Sequence, residues 1–101
     1  MSITKQKARP LCTDREWELL GQSWAPEISR LSASELRRIE GLLRTQRDKF
    51  RDLARQQAGE ARGKRDPKST RPAQSNQNTK TKAQIFDEAL ERVQVRLAEV
   101  E

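Results

Sequence analysis

Few residues in this chain can carry covalent or metal chemistry. There is no histidine, and Cys12 stands alone as the one cysteine. A thiolate–imidazole pair and an intrachain disulfide are therefore excluded, and zinc loses its commonest ligands. Cys12 itself reads as a small filler near a helix start. Carboxylates fall side by side at Glu16 with Glu18 and at Asp87 with Glu88. Each pair is what a solvated helical face carries. No glycine-rich phosphate loop, H-E-x-x-H or G-x-S-x-G appears. The sequence predicts no catalytic residue, no metal site and no cofactor, and the protein is expected not to be an enzyme.

Recognition of negative charge is what remains. Residues 62–82 hold Arg62, Lys64, Arg65, Lys68, Arg71, Lys80 and Lys82 against one acid, Asp66, a local charge of +6. That equals the formal charge of the whole chain, which has 21 Lys and Arg against 15 Asp and Glu. Residues 1–61 carry a net +3 and residues 83–101 a net -3. Clustered cations attract phosphates by counterion release, and acidic protein surfaces by charge complementarity. With Arg55 just upstream, these seven residues form the candidate partner-binding set.

Those residues must be positioned by helices. Residues 1–10 read as a flexible basic tail ending at Pro10. Thr13-Asp14-Arg15-Glu16 is a capping box, in which the Thr13 hydroxyl accepts from the Glu16 N–H and the Glu16 side chain reaches back. It opens a short helix carrying Trp17, Leu19 and Leu20, with Gly21 as its stop. Ser23 to Ile28 supplies one further turn around Pro26. Ser32-Ala33-Ser34-Glu35 is a second capping box. From it Leu36, Ile39, Leu43, Phe50 and Leu53 keep 3- and 4-residue spacing, with Gln46 in the missing step, so a helix is predicted over about 33–61. Residues 62–79, with Pro67, Pro72 and a run of Ser, Asn and Gln, read as a basic surface loop. From about 80 to 99, Ala83, Phe86, Leu90, Val93, Leu97 and Val100 form a heptad seam.

Two helices with one apolar stripe each predict an antiparallel hairpin. The register pairs Leu36 with Val100, Ile39 with Leu97, Leu43 with Val93, Phe50 with Phe86 and Leu53 with Ala83, and leaves the long helix overshooting at 54–62. Glu99 and Glu101 oppose the dipole of their own helix, but the hairpin brings them to the start of the long helix, near Arg37 and Arg38. The short N-terminal helix, with its Trp pair, lies across the open side. The expected fold is all-α, a small three-helix bundle over residues 11–101.

The function expected of such a chain is binding. Only 33% of its residues are hydrophobic, so the fold is marginal alone and gains from a partner or from a second copy. The leading expectation is a protein-binding module, an inhibitor, antitoxin or immunity-type protein or adaptor, since small bacterial helical proteins of that kind share this size and architecture. The alternative is a nucleic-acid-binding accessory protein that uses 62–82, although that segment has no aromatic residue for base stacking. No apolar run approaches the ~20 residues of a membrane span, and no signal-peptide core precedes the helices. A cytoplasmic protein with no membrane partner is expected.

Overall fold

A computed structural model describes residues 3–63 and 71–101, and the side chains of 3–58 and 77–101. Among the described residues all regular structure is helical: α1 (Lys5–Ala8), α2 (Asp14–Gly21), α3 (Ala33–Gly63) and α4 (Arg71–Val100), with 3-10 turns at Arg9–Leu11 and Glu27–Arg30. The long helix α3 packs antiparallel against α4, and the molecule is a small helical bundle 52 × 24 × 22 Å across.

Local chemistry starts the elements where expected. Thr13 Oγ1 accepts from the Glu16 N–H at 3.2 Å, and Glu16 Oε1 accepts from the Thr13 N–H at 2.8 Å, so the capping box is complete. Ser32 Oγ accepts from the Glu35 N–H at 3.2 Å at the head of α3. The expected 33–61 helix runs two residues further, to Gly63.

In its middle, at Phe50 and Phe86, the seam forms in the expected register. The Phe50 and Phe86 rings stack with centroids 5.6 Å apart and planes at 14°. At the far end Arg37 Nε donates to Glu101 Oε1 at 2.8 Å. Leu36, Ile39, Leu43, Phe86, Leu90 and Val93 are buried. Gln46 is half-buried at the edge of the seam. Leu53, expected opposite Ala83, is instead exposed, and Ala54 takes the buried place. A straight α-helix drifts by about 20° per heptad against a strict seven-residue repeat, and without a sustained supercoil the stripe advances by four residues at this step. Val100 is likewise exposed, in the last turn of α4.

Two further expectations are corrected. The last helix begins at Arg71 rather than about 80, so residues 71–79 are helical and not part of a loop. Pro72 falls in the first turn, where its missing N–H breaks no helical bond. The polar residues after it are poor helix formers by only a few tenths of a kcal/mol each, and Thr79 is buried. As a result α3 and α4 have 31 and 30 residues, and the expected overhang at 54–62 has a neighbour. The second correction concerns residues 3–10, read as a flexible tail. Thr4 caps α1, Ala8 is fully buried, and the Ile3 N–H donates to Glu88 Oε1 at 2.8 Å.

The N-terminal third is held on α4 by polar clasps as well as by apolar contact. Arg92 donates to Ser23 O at 3.1 Å and to Ser23 Oγ at 2.8 Å, while its guanidinium lies 4.5 Å from the Trp24 ring centre. Ile85 and Ala89 bury the side of α4 that this segment covers, together with Leu20. Cys12 adjoins the same core, where burial, and then Glu16, raise its thiol above the ordinary value.

Candidate interaction surface

Helical geometry decides which part of α3 is available. With Leu36, Ile39, Leu43, Phe50 and Ala54 turned to the core, Arg38, Leu42, Thr45, Lys49, Leu53 and Gln56 fall on one outward line at spacings of 4, 3, 4, 4 and 3. All six are exposed. Leu42 retains 44% of its surface and Leu53 36%, which is high for leucines three turns apart on one face. Between Arg38 and Gln56 the line holds two cations and no acid. The acids of this stretch lie to one side and are engaged. Glu40 meets Arg44 at 4.0 Å, Asp48 meets Arg47 at 3.1 Å, and Asp52 meets Arg55 at 3.9 Å. Arg47 and Arg51 also reach across the hairpin to Asp87, at 3.5 and 3.3 Å.

The candidate cations are distributed unevenly. Arg55 is exposed on α3 and Lys80 is exposed on α4. The register places them at the same end of the hairpin, toward which the helical positions of Arg62 and Arg71 continue. Lys64, Arg65 and Lys68 lie outside the described residues, as do the side chains of Arg62 and Arg71.

Lys82 is different. Its side chain is 17% exposed, its Nζ lies 2.8 Å from Glu16 Oε1 and 3.1 Å from Oε2, and it sits 4.3 Å from the Phe50 ring centre. It is a strut between α4 and α2 rather than a free cation, which removes it from the candidate set. Burial alone would raise the Glu16 carboxyl, but the Lys82 ammonium and the Thr13 N–H outweigh it and hold the group below the ordinary carboxylate range.

Sequence reasoning missed the leucine face. In sequence Leu42 reads as widening the apolar stripe and Leu53 as part of the seam itself, and neither position betrays its exposure. Among the described residues no group of three or more potential metal ligands occurs, and no helix is long and apolar enough to cross a membrane. No family model matches the chain, and neither a curated protein nor a solved structure matches it.

Proposed function

We propose that this protein is a non-enzymatic binding module, of the inhibitor or adaptor kind, that docks on a partner protein through the outer face of α3. The observation that carries the reading is the exposed pair Leu42 and Leu53, aligned with Arg38 and Lys49 on one line of the helix. Apolar area supplies affinity, and flanking cations supply orientation and association rate. The complementary surface is an amphipathic segment with apolar residues and carboxylates, the mode in which helix faces are commonly read. The basic end at Arg55 and Lys80 extends the same attraction. A second copy is a poorer fit, because the same face would set cations against cations. Phosphates, the chief attraction in a nucleic acid, find no use for the leucines.

The test is affinity capture from a native cell extract with the wild-type chain and with an L42S/L53S/K49E variant, each with and without nuclease. All three positions are exposed, so the variant retains its fold by circular dichroism. One stoichiometric protein that survives nuclease and is lost with the variant is the expected result. Nuclease-sensitive material bound equally by both proteins sinks the proposal and favours nucleic acid recognised through the basic segment.

A further inference from the structure

The two tryptophans make a second site, separate from α3. Trp17 lies on α2 and Trp24 just beyond its end, with ring centroids 5.5 Å apart and planes at 46°. Their outer surfaces line a cleft of about 380 Å³. Glu18 and Glu27 stand on its rim, Lys5 reaches into it, and Gly21 forms part of its wall. A Cβ on Gly21 would meet nothing within 4 Å, so the cleft is open where a side chain would otherwise fill it.

Three cations already use these rings, two of them held in place and one not. Arg9 lies 5.3 Å from the Trp17 ring centre, outside the cleft, and is paired with Asp14 at 3.0 Å. Arg92 is locked to Ser23 by two hydrogen bonds, and its place against Trp24 is structural. Lys5 lies 5.3 Å from the centre of the same ring, but its side chain is exposed. Among the described residues no hydrogen bond or ion pair holds its ammonium, nor is either rim carboxylate engaged in an ion pair. An exposed cation–π contact is weak, and the site gains strength only when its occupant is desolvated between rings and anions.

We propose that the Trp17–Trp24 cleft binds an alkylammonium group, with Lys5 as its displaceable internal occupant. Two aromatic faces and two carboxylates suit a diffuse positive charge surrounded by methyl or methylene groups. The chemistry is shared by a small quaternary amine and by the methylated lysine of a partner protein.

The chain has two tryptophans in all, so intrinsic fluorescence reports on this cleft alone. Choline chloride is titrated against sodium chloride at matched ionic strength. In parallel, an acetylated peptide amide bearing trimethyl-lysine is titrated against its unmethylated form. The expected result is a saturable change in emission, with a half-point on the order of millimolar for choline, the range one or two cation–π contacts support. Tighter binding of the methylated peptide assigns the ligand to a protein, and equal or weaker binding assigns it to a free amine. K5A lowers the half-point severalfold by removing the competitor, and E18Q/E27Q raises it. G21L fills the cleft from a helical position with open space around its Cβ, and abolishes saturation while circular dichroism is unchanged. The proposal is overturned by a response that sodium chloride reproduces, by the absence of saturation with both ligands, or by saturation indifferent to G21L.

Discussion

Changing Glu16 to Gln isolates the interior ion pair from every other role of that residue. Glutamine at the third helical position still serves the capping box, so α2 keeps its start, and only the charge opposite Lys82 is lost. Lys82 is then a cation with 17% of its side chain exposed and an aromatic ring 4.3 Å away. Removing one partner of a fully buried pair costs about 3–5 kcal/mol. The residual exposure and the flexible lysine stem allow partial rehydration, which brings the expected loss to about 1–2 kcal/mol. The pH dependence adds a sign. Because the folded carboxyl titrates below its ordinary value of 4.5, the unfolded chain binds more protons in that region and stability rises with pH. The contribution is complete above pH 4.5 and is lost as pH falls through the folded value. Urea denaturation followed by tryptophan fluorescence, at pH 7 and then at intervals down to pH 2, measures both effects. Wild type and E16Q should differ at pH 7 and converge in acid. Equal stability at pH 7, or a gap that stays constant to pH 2, would refute the interior pairing of Glu16 with Lys82.

Other perturbations probe the rest of the scaffold. Phe86→Ala removes a fully buried ring stacked on Phe50 and should cost about 3–5 kcal/mol, read as a fall in the urea midpoint. Arg92→Ala strips Ser23 of a charged donor and should cost about 1.5–3 kcal/mol, with a change in Trp24 emission that a purely distant effect would not produce. A double-mutant cycle on Arg37 and Glu101, which are both substantially exposed, should return a coupling below about 1 kcal/mol that fades in high salt. A larger, salt-insensitive coupling would mean that the two ends of the hairpin are more tightly closed than their exposure allows.

The hairpin was legible in the sequence because its signals are local and redundant. Thr13 with Glu16 marks a start by hydrogen-bonding logic alone, and Ser32 with Glu35 marks another. The spacing of Leu36, Ile39 and Leu43 against Phe86, Leu90 and Val93 leaves few ways to bury both stripes. Of the two dipole-opposed glutamates, Glu101 meets Arg37 as the hairpin requires, whereas Glu99 pairs with Arg96 on its own helix. What failed was whatever depends on a neighbour from elsewhere in the chain. Residues 71–79 have turn-forming composition, yet the backbone continues α4 through them, with Thr79 buried. Lys82 has the same covalent structure as Lys80, yet Glu16, sixty-six residues away, draws one inward while the other stays in solvent. Leu53 and Ala54 are adjacent apolar residues, and only the true pitch of α3 decides which is buried. The candidate site was therefore half readable: its charge was visible in composition, but the leucines beside that charge were not.

The clasps between the N-terminal third and α4 bear on the order in which the molecule is made. Ile3 is held by Glu88, Glu16 by Lys82 and Ser23 by Arg92, links that span 85, 66 and 69 residues. A ribosome therefore releases these three anchors long after the segment they hold, and α3 emerges with its apolar seam uncovered. Until Arg92 leaves the exit tunnel, the nascent chain has nothing to hold Ser23 and the face of Trp24. Folding of the first segment is in this sense completed by α4. A premature stop at or just before the codon of Arg92 would unlatch Ser23 and Trp24 along with the last turns of α4.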